Sequence, residues 1–386
     1  MIPQRGFRIG SFRGIKIYLH WSWFIVFLLL LWVVIQFFQV NVESPAHVYV
    51  PLSVVTTFLF FASVLLHELS HSIVANRNGI PIKKITLFVF GGVAQMSKDV
   101  NSPGVEFKMA VAGPLCSYAL CLVFGALAYL AYVLGADSLS FGLMLLSVVN
   151  FGLGTFNLIP GFPLDGGRIL RSLLWHHSGD LLKSTRTASR LGEGLGFLLI
   201  AGGVVMFFLD LFQPQNDLML ASLWFVLIGA FLVQAAYNGY RQVRVRSSLS
   251  GKNVGDITRY GVPAVEASTS LEEVYRIHLE KAPLSIVPVL KQGKLAAFLK
   301  LTDLRPVDNR LWAETPAVQV SRPVIVEDTA SPSLPLFDAL LRMERSGREF
   351  LWVVEEGRLL GVILRDDARR LSKQRFDRRK TSNHVS

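Results

Sequence analysis

Apolar residues gather into six runs, at 21–40, 51–75, 109–134, 141–158, 191–211 and 218–237. About 20 apolar residues in a helix cross the roughly 30 Å hydrocarbon core of a bilayer, so each run predicts a transmembrane helix. The first run exceeds the length of a signal-peptide hydrophobic region, and no small-residue cleavage site follows it. It therefore reads as a retained span. A different pattern occupies 85–90, Ile-Thr-Leu-Phe-Val-Phe, closed by Gly91-Gly92. β-branched and aromatic residues in series predict a short β-like segment at membrane depth. Backbone of that kind is tolerated there only where it is buried in protein or lines a cavity. As a strand edge it would suit an extended peptide added by β-pairing.

Past residue 250 the pattern changes again and repeats. Val287-Pro-Val-Leu-Lys-Gln-Gly293-Lys-Leu-Ala-Ala-Phe-Leu-Lys-Leu-Thr-Asp303 aligns with Leu351-Trp-Val-Val-Glu-Glu-Gly357-Arg-Leu-Leu-Gly-Val-Ile-Leu-Arg-Asp-Asp367, and the two central glycines lie 64 residues apart. Each copy reads strand, glycine turn, strand, acidic helix start, with an amphipathic helix before it at 271–280 and 336–345. The expected division is a membrane-embedded region over 1–245, a first repeat over 251–310, a second over 311–372 and a disordered polar tail over 373–386.

Composition agrees. Of 386 residues, 51% are hydrophobic and 17% charged, against about 25% charged in an average soluble domain. The deficit is local: 17–76 and 191–240 contain no Lys or Arg, whereas 251–386 hold 22 basic and 18 acidic residues. An ordinary soluble enzyme is excluded. The net charge of +11 is what apolar spans with positive cytoplasmic flanks produce, so it implies no nucleic-acid partner. Connections carrying several Lys or Arg alternate with connections carrying none, which places both termini in the cytoplasm of a multi-pass cell-membrane protein. Cys116 and Cys121 lie five apart on one predicted helix, so they offer neither a disulfide nor a thiolate zinc site.

Some residues do not suit a lipid environment. His67, Glu68 and His71 sit inside the second apolar run. An ionisable group at the bilayer centre costs about 2.5–3.5 kcal/mol on insertion scales, so a group of three needs a partner inside the membrane. Their spacing is H-E-x-x-H. Four residues apart on a helix, His67 and His71 share one face and can grip one metal ion, for which neutral imidazole and an open fourth position suggest zinc. Glu68 is placed to act as general base on a zinc-bound water. A third ligand must come from elsewhere, and Asp165 is the candidate. It follows in Phe156-Asn-Leu-Ile-Pro-Gly-Phe-Pro-Leu-Asp-Gly-Gly-Arg168, where prolines and glycines break the helix. An aspartate that merely caps the next helix is the plainer alternative. His20 beside Trp21 and Trp23 reads as an interfacial anchor.

His67-Glu-Leu-Ser-His71 within a span, followed by Asn157…Pro160…Pro163-Leu-Asp165-Gly-Gly, resembles the site-2 protease family of intramembrane zinc metalloproteases. Phe90-Gly-Gly-Val-Ala94 and Ala112-Gly-Pro114 look like that family's connecting motifs. The resemblance implies an α-helical polytopic membrane protein of about six spans with a short membrane-associated β-like segment. It implies one Zn2+ per chain held by His67, His71 and Asp165, with Glu68 as catalytic base and Asn157 holding the substrate carbonyl or its oxyanion. The implied substrates are transmembrane proteins or signal peptides cut within or near the lipid bilayer.

The repeated tail resembles a tandem pair of cystathionine-β-synthase-type (CBS) domains, an α/β module. Such pairs commonly bind adenine nucleotides and pair with each other, so a homodimer through the repeats is expected. In nucleotide-binding members a Thr or Ser hydroxyl and an Asp carboxylate hold ribose and phosphate. Here both carboxylates remain, Asp303 and Asp367, but the hydroxyl positions are Lys300 and Leu364. Weak or absent adenine-nucleotide binding is therefore expected. A catalytically silent membrane scaffold is weakened by the intact Glu68. A CBS-regulated transport protein predicts pathway charges on several spans, whereas here they are confined to the motif segments.

Overall fold

The computed structural model describes residues 6–89, 91–96, 100–212, 219–276 and 286–382, with side chains as far as 373. The chain divides into two compact units, Met1–Arg241 and Gln242–Ser386.

The first unit is helical. Its helices are α1 (Trp21–Asn41), α2 (Ala46–Arg77), α3 (Pro103–Val133), α4 (Asp137–Asn157), α5 (Asp165–Ser178) and α6 (Leu181–Phe212), and it contains most of α7 (Met219–Leu249). Among the described residues, the six other than α5 are long and apolar enough to cross a membrane. Their outward faces carry large apolar side chains, such as Leu122 at 75% and Phe212 at 79% exposure. That surface is stable only against lipid. The helices extend past the apolar runs where polar ends are capped. Thus α6 starts at Leu181 because Asp180 Oδ1 accepts the backbone N–H groups of Leu182 and Lys183 at 2.9 and 3.0 Å.

One four-stranded sheet accompanies these helices, in the order β1 (Phe7–Phe12), β2 (Ile15–Leu19), β3 (Ile82–Phe88), β4 (Gly91–Met96). The first two strands form a hairpin turned by Arg13 and Gly14, both at positive φ, 49° and 83°. Every second residue of β2 is buried, namely Ile15, Ile17 and Leu19. Ile15 and Leu19 join Ile82, Ile85 and Leu87 of β3 in one core with Trp23, Leu69 and Met109. The hairpin was not among the expected elements. The segment 85–90 also differs from expectation. Residues 85–88 belong to β3, which pairs with β2 in parallel and with β4 antiparallel, so both its edges are filled, and Val89 lies in the turn that follows. Phe90 lies outside the described residues. The terminal strands of the sheet order are β1 and β4.

The second unit holds two four-stranded sheets. Its strands are β5 (Arg259–Tyr260), β6 (Val265–Glu266), β7 (Ile286–Lys291), β8 (Lys294–Lys300), β9 (Arg322–Pro323), β10 (Thr329–Ala330), β11 (Phe350–Glu355) and β12 (Arg358–Leu364). They assemble as β6-β7-β8-β9 and β10-β11-β12-β5. The helices are α8 (Leu271–Val274), α9 (Leu301–Leu304), α10 (Ala317–Val320), α11 (Leu336–Ser346) and α12 (Arg365–Ser382). The two aligned repeats form the hairpins β7–β8 and β11–β12. Of the helix expected at 271–280, α8 is described and 277–285 lies outside the described residues. α12 continues through Ser382, into the stretch expected to be a disordered tail. It contains no Gly or Pro and is rich in Arg, whose helix propensity is high despite its polarity. Residues 383–386 lie outside the described residues.

Candidate active site

His67 and His71 lie on one face of α2, and both are buried. Asp165 opens α5 at the end of the Pro- and Gly-rich segment and is buried as well. The fold brings the three together. His67 Nε2 and His71 Nε2 each stand 3.1 Å from Asp165 Oδ2, and 3.2 Å from each other. Donor atoms on a tetrahedral zinc with bonds of about 2.0–2.1 Å stand roughly 3.3 Å apart, so the spacing fits that ion.

The tautomers point the same way. His71 Nδ1 lies 2.6 Å from the Met109 carbonyl oxygen, which can only accept, so the ring proton is on Nδ1 and Nε2 presents a lone pair. His67 Nδ1 is 2.9 Å from Ser117 Oγ. Three lone-pair atoms this close repel one another unless a cation lies among them. Gly113 of α3 provides the room, since a Cβ there would lie 2.2 Å from His71 Nε2 and 2.5 Å from His67 Nε2.

The site opens on a cavity of about 590 Å³ lined by His67, Glu68, His71, Asn157, Asp165 and Arg168, with most of β4 and apolar residues of α7 around it. Glu68 is covered by β4: a Cβ on Gly92 would lie 2.5 Å from Glu68 Cγ. Asn157 shares the cavity, and its Nδ2 donates to the Leu153 carbonyl at 2.9 Å. His20 is elsewhere in its role. Its Nδ1 accepts the Ser22 backbone N–H at 3.3 Å and caps α1.

Behind the site, fully buried Glu106 at the start of α3 accepts Arg171 Nε at 2.8 Å, and also Arg171 Nη2, which ties α3 to α5. Sequence reasoning did not find Glu106, Ser117, Gly113 or Gly92. The glycines lay inside quoted motifs, but what they approach depends on helix and strand packing. Glu106 had a signal, an acidic residue just ahead of a predicted span.

The Peptidase family M50 profile matches residues 55–142 and 133–201, and the CBS domain profile matches 254–307 and 317–373. The zinc metalloprotease MJ0392 of Methanocaldococcus jannaschii is 32% identical over 362 residues, covering 93% of this chain and 94% of that protein. The chain belongs to peptidase family M50. A Synechocystis sp. protein aligns at 32% identity over 363 residues, covering 92% of each chain, and its name includes zinc metalloprotease. A solved site-2 protease from Methanocaldococcus jannaschii is 33% identical, covers 61% of this chain and 95% of that one, and superposes with a TM-score of 0.40. This M50 peptidase is thus a zinc-dependent intramembrane metalloprotease of the site-2 type, a multi-pass membrane protein that carries tandem CBS domains.

Proposed function

We propose that His67, His71 and Asp165 hold one zinc ion per chain and that Glu68 is the general base of peptide hydrolysis beside it. The observation that carries this reading is the convergence of two Nε2 atoms and one carboxylate oxygen, 3.1–3.2 Å apart, on membrane-embedded and adjoining helices. Bound zinc supplies a Lewis acid that brings the pKa of a coordinated water towards about 7. Glu68, at the cavity wall, takes a proton from the attacking water and returns it to the departing amine. One N–H of Asn157 is committed to Leu153, and the other is free to hold the substrate carbonyl.

A transmembrane substrate is helical, and its peptide bonds are closed by internal hydrogen bonds. It has to unwind before it is cut. The outer edge of β4, along the cavity, offers main-chain partners for the unwound stretch. The substrates are accordingly single-span proteins or signal peptides whose spans can locally extend. The alternation of basic connections supports a cell-membrane location with both termini in the cytoplasm.

The regions 251–310 and 311–372 act as one CBS module that pairs two copies of the chain and binds adenine nucleotide weakly or not at all. Asp303 accepts Arg322 Nε at 3.0 Å and the Lys300 backbone N–H at 3.1 Å, and Asp367 accepts Arg259 Nε and Nη2 at 2.9 and 3.0 Å. The carboxylates that would hold ribose are thus already engaged.

Glu68→Gln tests the catalytic reading. It removes the base and leaves every proposed ligand in place. The expected result is loss of cleavage of a single-span reporter with zinc content unchanged. Full turnover in this variant would refute the assignment.

A further inference from the structure

Arg168 lies one turn beyond Asp165 on α5 and is the only lysine or arginine among the described residues lining the cavity. Its side chain is 20% exposed, and its Nε stands 4.0 Å from Glu106 Oε1. Arg171 already donates to that oxygen through both Nε and Nη2, and at 4.0 Å Arg168 is beyond hydrogen-bond reach of it. Two guanidinium groups around one carboxylate leave a net positive charge. Among the described residues the Arg168 guanidinium makes no hydrogen bond, although its backbone N–H donates to the Leu164 carbonyl. A guanidinium carries five N–H donors in a rigid plane. Leaving them unused in a largely apolar pocket costs free energy, which a ligand oxygen would recover.

The reaction generates such an oxygen. As water adds to the scissile carbonyl carbon, the C=O π electrons move onto oxygen. When the C–N bond breaks, the carbonyl re-forms as a carboxylic acid that ionises, and the amine leaves with the proton carried by Glu68. The negative charge exists only during and after addition, so a fixed cation facing it favours the transition state over bound substrate. We propose that Arg168 is the residue that stabilises this charge, first on the oxyanion and then on the product carboxylate. The proposal rests on the zinc-protease reading above. It adds a charged donor to the neutral one offered by Asn157.

The test uses the full chain in detergent micelles, zinc-loaded, and two apolar tetrapeptides. One carries a phosphinate in place of the scissile amide, a tetrahedral anion. The other keeps the amide and is measured with Glu68→Gln present, so that it is not cut. Arg168→Gln should weaken phosphinate binding on the order of 100-fold, the cost typical of one lost oxyanion donor. Amide-peptide affinity should stay within about two-fold and zinc content should not change, whereas Arg168→Lys should regain part of the phosphinate affinity. Phosphinate affinity within about three-fold of wild type in Arg168→Gln would overturn the assignment. So would an equal loss for both peptides, or loss of zinc from both variants, since Arg168 would then be a general support. A zinc-loaded wild-type chain that does not bind the phosphinate would instead refute the protease reading beneath it.

Discussion

Replacing Gly113 with alanine sets helix propensity against metal binding. The new methyl group would stand 2.2 Å from His71 Nε2 and 2.5 Å from His67 Nε2, where ordinary contact begins at 3.4 Å. The rings must retreat by about 1.2 and 0.9 Å. His71 cannot follow freely, because its Nδ1 is hydrogen-bonded at 2.6 Å to Met109, one turn back on the same helix as Gly113. Metal–ligand distances tolerate only about 0.2 Å, and a misplacement of about 1 Å costs on the order of 100-fold in rate. In the helix itself alanine is favoured over glycine by about 0.8–1 kcal/mol. The expected phenotype is therefore a folded protein without its metal. Zinc per chain, measured by mass spectrometry after desalting, should fall at least ten-fold or so, with reporter cleavage reduced on the order of 100-fold or more. The thermal midpoint in excess chelator should match or exceed wild type. Gly202→Ala in α6, where a Cβ meets nothing within 4 Å, should keep its zinc. Wild-type zinc content and turnover in Gly113→Ala would refute the reasoning. Unfolding of the chelated variant would show that the overlap disrupts the helix packing rather than the metal site.

The remaining predictions concern the CBS module and topology. Calorimetry of the full chain with ATP, ADP or AMP should show weak or no binding. The lost hydroxyl at Leu364 costs about 0.5–1.5 kcal/mol, and Arg259 and Arg322 must also be displaced from Asp367 and Asp303. Low-micromolar affinity at both repeats would refute this. Accessibility tags after Asn41, Asp137 and Asp210 should be reached from outside, and a tag after Ser386 only from inside. A tail labelled from outside would overturn the charge argument.

The six long apolar helices were legible because about 20 apolar residues in series have few other uses. The pairing of His67 with His71 was legible because a four-residue separation fixes a common helix face. Asp165 could be found only through its motif, since nothing local says that α5 folds back onto α2. The β1–β2 hairpin was written in the alternation of Ile15, Ile17 and Leu19, but Lys16 and the arginines before it made the segment read as a flank of the first span. The strand within 82–88 was found and its place in the sheet was not. Which strand is outermost depends on partners from residues 7–19 and 91–96, and a single run cannot reveal its neighbours. Gly113 was visible as part of Ala-Gly-Pro, but its purpose required knowing that two rings point at it.

The strand order of the second unit has a consequence for how it can be divided. β9 sits in the sheet built by the first repeat, and β5, from the start of the first repeat, completes the sheet of the second. Each half therefore lends the other an edge. A protein truncated after 310 would lack the strand that covers β8, and one begun at 311 would leave β12 bare. Neither repeat is a self-sufficient folding unit, and the two should melt in a single cooperative transition. A substitution buried in one hairpin will be felt as lost stability in the other, although no side chain of the second hairpin has changed.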